Sequence, residues 1–359
     1  MILKVLMLAD GRAVHTVRFQ KELARQGVEI VLASLERGPT VDIPLKRLSV
    51  SNSLSYFFAN RQIKDLVRKM NPDLINPHFA SGYGFSVAIS RVWKRKPVAL
   101  HCLGSDILIS PKKSIAHKRK VTLALDRADT IFCDSTFIAE QITTLAPSAE
   151  TNIIPWGVED EILNLFEKRK KHHIDADRPV RVLIPRPHNK IYNNLFIYES
   201  LKNLLEKKRL NLTFPAWGDD LDEFKKATKK ERLDGSISLY PFRDRREYID
   251  SLADFDIFLS AALSDSSPAS LIEAMAAGLY PVVADIPGIG DWAGHGDAAL
   301  FDPRDGNTLR AAFEKILDPS FDIKSTLEKN HRLARQKGRF PDNIEKTVKI
   351  MKSMVANGP

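Results

Sequence analysis

The sequence predicts two tandem α/β domains, each a parallel sheet covered on both faces by helices. Three observations predict it. The chain has 359 residues, beyond the length at which one hydrophobic core keeps growing, and 43% of them are hydrophobic. Short apolar runs of strand length alternate with helical segments along most of the chain. The alternation breaks between Trp156 and Arg178, where Gly157, the run Lys168-Arg169-Lys170-Lys171 and the turn Asp175-Ala176-Asp177-Arg178-Pro179 mark a connection.

In order along the chain, residues 2–8 read as a buried strand. A helix over 15–26 follows, is stopped by Gly27, and leads into a second strand over 28–33, which completes a βαβ unit. The pattern continues with helix 61–70, strand 74–76, helix 84–92, strand 98–101, helix 116–128, strand 130–133 and helix 137–145. A second series has strands at 180–184, 212–217, 237–239, 257–259, 280–284 and 299–301, with helices between them. The segment 323–355 is basic and helical and is expected to pack back on the first domain. The expected organisation is a first domain at 1–157, a connection at 158–178, a second domain at 179–330 and a returning C-terminal helix at 331–359. No short-period repeat is present, which excludes a solenoid.

Composition narrows the function classes. No window approaches about 18 consecutive apolar residues, and Met1–Asp10 is too short and too soon acidic for a signal peptide, so the expected location is cytoplasmic. Cys102 and Cys133 have no metal-type spacing, which excludes a disulfide framework and a structural zinc site. A net charge of +9 points to an anionic partner. From Arg91 to Lys120 nine basic residues face one acid, Asp106. With Tyr56-Phe57-Phe58 ahead of Arg61, Lys64, Arg68 and Lys69, and with Trp93-Lys94-Arg95-Lys96, this basic face suits either solvated helix ends or a peripheral contact with an anionic membrane surface, the inner face of the plasma membrane. No helix-turn-helix, zinc or ribonucleoprotein-type signature accompanies the charge, so nucleic acid is not an expected partner.

Ser264-Asp265-Ser266-Ser267-Pro268-Ala269-Ser270-Leu271-Ile272-Glu273-Ala274-Met275-Ala276-Ala277-Gly278 carries the most information. It follows a strand and opens a helix whose first N–H groups have no partner within the helix. Small Ser266, Ser267, Ala269 and Ser270 let a diphosphate approach them. Asp265 and Glu273, separated by seven residues, then Ala-Met-Ala, Gly278 and Pro281-Val282-Val283-Ala284, resemble the signature of the GT4 group of retaining glycosyltransferases. Ile153–Val158, Asp285–Gly288 and Phe301–Pro303 extend the similarity over most of the chain.

The resemblance implies a GT-B fold, two Rossmann-like doubly wound domains facing a central cleft, and transfer of a sugar from a nucleoside diphosphate sugar to a saccharide or lipid-linked acceptor in surface glycan synthesis. It implies that Glu273 hydrogen-bonds the donor ribose and that Asp265, where the family usually has Glu, contacts the sugar or the reacting centre. Arg186 and Lys190 would clamp the diphosphate, with Gly218 beside the donor and base selection near Trp217-Gly218-Asp219 and Tyr240-Pro241-Phe242-Arg243. His101 and Asp106 are the further catalytic candidates, and Gly11, Arg12, His15 and His78 the acceptor-side ones. No metal is expected, because no acidic triad with metal spacing is visible. No cofactor is expected either; UDP or GDP is the expected nucleotide of the substrate. Plainer readings stay open beside these: a helix cap at His15, a loop turn at Asp106, packed strand ends at His78 and His101, and surface cations at Arg186 and Lys190. Two other functions stay open as well, a GT-B nucleotide-sugar epimerase and a non-catalytic nucleotide-sugar-binding homologue.

Overall fold

Along the strands, successive apolar side chains go to opposite faces, and that period of two sets where the cores lie. The computed structural model describes residues 2–35, 45–48, 55–169, 174, 178–229, 235–241, 244–294 and 296–357. They form two compact units, Met1–Pro155 with Pro341–Pro359, and Trp156–Phe340.

The first unit holds β1 (Lys4–Leu8), β2 (Glu29–Ser34), β3 (Leu45–Arg47), β4 (Leu74–Pro77), β5 (Ala99–His101), β6 (Thr130–Cys133) and β7 (Thr151–Ile153). All pair in parallel, in the orders β3-β2-β1-β4 and β5-β6-β7. Parallel bridges at Ile75↔Val98 and His78↔His101 join β4 to β5. Leu6, Leu8 and Ile75 pack with Ile63, Val67 and Val87 from the covering helices, while Leu100 and Ile131 pack with Val121, Leu125 and Ile138. The expected helix over 84–92 is preceded by a π-helical turn, Phe79–Gly84, with Phe79 at φ 64°, and is itself shorter, Phe85–Ser90.

The second unit holds β8 (Val180–Leu183), β9 (Leu210–Pro215), β10 (Ile237–Tyr240), β11 (Ile257–Ser260), β12 (Tyr280–Ala284) and β13 (Ala299–Phe301), all parallel, in the order β10-β9-β8-β11-β12-β13. Val182, Ile257, Leu259 and Val282 enter one core, and Leu183, Phe258 and Val283 enter the other. Both faces of the sheet are therefore covered, as continuous apolar strands require.

The segment expected to connect the domains contributes helix Asp160–Lys168 to this unit, burying Ile162, Leu163 and Phe166; Lys170, Lys171 and residues 175–177 lie outside the described residues. The expected C-terminal helix is two helices, Lys324–Lys337 and Phe340–Ala356, parted at Gly338. The first packs on the Ala269–Ala277 helix, and the unit boundary falls between Phe340 and Pro341. In the first unit the Gln26 side chain donates to the Pro341 carbonyl (3.0 Å) and the Asn343 side chain to the Pro155 carbonyl (3.0 Å).

Candidate active site

In the second unit β8 and β11 are neighbours whose chains continue in opposite directions across the sheet, β8 to β9 and β11 to β12. The crevice at the carboxyl ends of such a pair is where open parallel sheets bind ligands. Arg186 follows β8 and Asp265 follows β11, and the Arg186 guanidinium donates to the Asp265 carboxylate across that crevice. The backbone adds a second link, Leu263 N–H to the Ile191 carbonyl (2.8 Å). The Tyr192 ring lies 5.2 Å from the guanidinium. Arg186 Nε is buried with no partner among the described residues.

Asp265 is held from behind as well. The Ser266 N–H donates to its Oδ1 (3.0 Å), and Gly288 approaches so closely that a Cβ there would lie 1.9 Å from the Asp265 carbonyl oxygen. Ser267 Oγ accepts from Trp292 Nε1 (2.8 Å), which fixes the turn into helix Ala269–Ala277. The residue ahead of that helix, Pro268, has no side chain with which to cap it. The Leu271 N–H donates to the Pro268 carbonyl (2.9 Å), so the Ala269 and Ser270 N–H groups ahead of it are the ones that stay available to an anion, and Ser270 Oγ is buried with no partner among the described residues.

On the same helix, Glu273 is 4% exposed. Arg245 reaches its Oε1 at 2.6 Å and also forks onto Glu159, Nε to Oε1 at 3.2 Å and Nη2 to Oε2 at 2.6 Å. Burial works against the charge on Arg245, and the two carboxylates more than offset it, so its pKa is raised. The Tyr248 hydroxyl also hydrogen-bonds Glu273; burial first, then the Glu273 charge, pushes that phenol well up. Sequence reasoning missed Arg245, Glu159 and Tyr248. The only local signal was Asp244 with Glu247, a capping box that marks a helix start at Arg245 and says nothing of Glu273.

Gly218 (φ 127°) takes its place because a Cβ would lie 2.2 Å from the His188 backbone nitrogen; the loops after β8 and β9 are laced there, His188 N–H to the Trp217 carbonyl and Asp220 N–H to the His188 carbonyl. Trp217 meets Tyr240 edge to face, and Phe242 and Arg243 lie outside the described residues. Lys190 is exposed and lines a cavity of about 240 Å³ with His188, Asn189, Asn194, Asp220 and Glu223. The next residues, Ile191 and Tyr192, touch the surroundings of the Arg186–Asp265 pair.

In the first unit the expected residues gather at the carboxyl ends of β1, β4 and β5. The Gly11 N–H donates to Ser34 Oγ (3.1 Å), and Arg12 forks onto Asp10, Nη2 to Oδ2 at 2.9 Å. Burial opposes ionisation of Asp10, yet the Arg12 hydrogen bonds hold its pKa below the usual value. His15, in the first turn of helix Val14–Arg25, is brought down to about 4, chiefly by desolvation.

His78 and His101 are buried with ring centres 4.7 Å apart and share the Asn76 amide. Asn76 Nδ2 donates to the Ala99 carbonyl (2.5 Å), which orients the amide; it therefore also donates to His101 Nδ1 (2.8 Å), and its Oδ1 accepts from His78 Nε2 (3.3 Å). Both imidazoles thus carry their proton on Nε2. Desolvation lowers His78 well below its ordinary value and His101 to about 3, so both are neutral. Asp106 is 1% exposed and accepts from the Ala80 N–H (2.7 Å) and the Leu103 N–H (3.0 Å). It ties the π-helical turn to the loop after β5. Among the described residues no group of three or more His, Cys, Asp or Glu is arranged to hold a metal ion, and no helix is long and apolar enough to cross a membrane.

Residues 4–135 match the family described as Glycosyl transferase 4-like, and residues 166–337 match Glycosyl transferases group 1. The chain is a GT4-like glycosyltransferase. A Bacillus subtilis protein named for teichuronic acid biosynthesis, TuaC, is 23% identical over 295 residues, 78% of this chain and 72% of that one. The fold is GT-B. Sucrose-phosphate synthase from Thermosynechococcus elongatus superposes with a TM-score of 0.81 at 13% identity, covering 99% of this transferase and 100% of that chain. Anabaena HepE in complex with UDP gives 0.79 at 14% identity, covering 98% and 100%. HepE in complex with UDP-glucose gives 0.77 at 15% identity, again covering 98% and 100%.

Proposed function

We propose that this transferase moves a sugar from a nucleoside diphosphate sugar to a saccharide or lipid-linked acceptor in surface glycan synthesis, with retention of anomeric configuration and without a metal. One observation carries the reading: Arg186 and Asp265 meet across the β8–β11 crevice beside an uncapped helix start, with the buried carboxylate of Glu273 on the same helix. Arg186 and the helix N–H groups are the cations and dipoles for a diphosphate, the role a divalent ion fills elsewhere. HepE binding UDP and UDP-glucose supports the donor class, and the naming of TuaC supports the glycan class.

In the step proposed, the bond from the anomeric carbon to the diphosphate oxygen breaks and the acceptor oxygen bonds to that carbon on the same face. The acceptor proton passes to the departing diphosphate, whose charge Arg186 offsets. Asp265 compensates the positive charge that develops on the sugar ring. Gly11, Arg12, His15 and His78 form the acceptor side. His101, a neutral imidazole, acts as a hydrogen-bonding group rather than a base.

The basic face of the first unit supports a peripheral membrane contact. Phe57 and Phe58 are 50% and 47% exposed, and Ile115 is 75% exposed, beside exposed Lys112, Lys113 and Lys118. Tyr56 takes no part, since it packs inward against Tyr83 (5.2 Å).

The test is thermal stabilisation of chelator-treated protein by UDP, GDP, ADP, dTDP and CMP and their sugars, followed by NMR of the product made on a glycan extract. Stabilisation by one nucleoside diphosphate and a product with the donor's anomeric configuration are expected. An inverted product removes the retaining mechanism, dependence on added Mg²⁺ removes metal independence, and conversion of donor without acceptor turns the reading to an epimerase.

A further inference from the structure

A carboxylate as buried as Glu273 keeps its charge and its direction only if something fixed holds it. Its partner Arg245 is itself fixed: two of its nitrogens fork onto both oxygens of Glu159 before the guanidinium reaches Glu273. Three anchored helices supply the trio. Glu159 stands directly ahead of helix Asp160–Lys168, whose Ile162 and Leu163 share a core with Leu271 and Ile272, neighbours of Glu273 in sequence. Arg245 opens helix Arg245–Ser251, whose start is set by the capping box of Asp244 and Glu247.

We propose that Arg245, held by Glu159, is the positioning residue that aims Glu273 at the ribose hydroxyls of the nucleotide, so that this trio reads a ribonucleotide from its deoxy counterpart. The inference rests on the reading of Glu273 as the ribose contact. Two carboxylates on one guanidinium leave the trio one negative charge in excess, and the Tyr248 hydroxyl adds a neutral donor. Such a cluster has acceptor lone pairs to offer and no uncommitted cation, which suits the neutral, proton-donating diol of a nucleotide. The phosphates belong at the other end, with Arg186 and the helix start.

The experiment is calorimetric binding of UDP, GDP and ADP, each beside its 2′-deoxy form, to the full chain and to Arg245→Gln, Arg245→Lys and Glu159→Gln. Wild type is expected to prefer the ribo form by about tenfold or more, the scale of a hydrogen bond to a charged group. In Arg245→Gln and Glu159→Gln that preference collapses while deoxynucleotide affinity holds; Arg245→Lys, which keeps the charge but loses the fork, retains part of it. A merely structural role would weaken both forms alike. If Arg245→Gln does not fold, Glu159→Gln and Arg245→Lys carry the comparison. Full preference surviving in the folded variants overturns the inference alone, whereas a wild type that binds both forms equally, or binds no nucleotide, overturns the ribose reading beneath it.

Discussion

Gly288→Ala tests how firmly the loop after β12 fixes Asp265. The new Cβ would sit 1.9 Å from the Asp265 carbonyl oxygen, 2.7 Å from its carbon and 2.9 Å from Ser266 Cα, whereas ordinary contact begins at 3.4 Å. The obstacle is backbone, so no side-chain rotation relieves it, and the two loops must part by 1.5 Å. Overpacking of this kind costs about 1–3 kcal/mol, or a Tm lower by roughly 3–10 °C for a unit of this size. A displacement near 1 Å at a reacting group costs about 10²-fold in rate, so kcat/KM for sugar transfer should fall by about that factor. The control is Gly290→Ala, two residues on, whose Cβ would meet only the Pro287 carbonyl at 3.5 Å and should behave as wild type. The assay is steady-state transfer with the donor identified by thermal stabilisation, alongside a melting curve. A Gly288→Ala protein with wild-type kcat/KM would refute the claim that this contact places Asp265.

Other outcomes follow from the same geometry. Arg186→Gln should weaken nucleoside diphosphate binding by about 10- to 100-fold, the loss of a charge-assisted hydrogen bond, and unchanged affinity by calorimetry would remove Arg186 from the phosphate site. Asp265→Asn frees Arg186 from its partner, so diphosphate should bind at least as tightly while transfer falls; weaker binding together with unchanged transfer contradicts both roles. For pH, His78 and His101 are held neutral when folded, His101 down to about 3, whereas in the unfolded chain they titrate near 6.5. The unfolded state therefore takes up protons first. The stability that depends on their neutrality is complete above pH 6.5 and is lost as pH falls from 6.5 toward the folded values, by up to about 1.4 kcal/mol per pH unit for each histidine. Urea unfolding between pH 7 and 5 should show this slope, and His101→Gln should flatten it; an equal slope in the variant assigns the acid sensitivity elsewhere. Phe57→Ser with Phe58→Ser should reduce co-sedimentation with vesicles rich in anionic phosphatidylglycerol, and wild-type protein that ignores such vesicles removes the membrane contact.

The sequence by itself determined most strands of the parallel sheets, because each of these is a short apolar run flanked by its own turn chemistry, written in neighbouring residues; Leu45–Arg47 and Thr151–Ile153, each with one large apolar residue, carry no such signal and only pairing reveals them. It also determined the helix start at Asp265 to Gly278, where small residues and two acids at fixed spacing lie on one continuous stretch. Only the tertiary structure decided how those groups are used. Arg245 and Glu159 are 86 residues apart, and Arg186 and Asp265 are 79 apart. Arg186 and Asp265 meet because the strand order sets β8 beside β11, and Arg245 and Glu159 because Ile249 and Ile162 from their two helices share one core; no local window encodes either. Asp106 looked like a candidate acid, yet its carboxylate oxygens are occupied by the Ala80 and Leu103 N–H groups. Lys190 lies in a turn, Lys190–Tyr192, whose place beside the crevice is set by the Leu263 N–H to Ile191 carbonyl bond, a contact across 72 residues. Local chemistry specifies which groups are available; packing of distant segments specifies which of them are already satisfied, and the unsatisfied remainder at the β8–β11 crevice is what the proposed donor would meet.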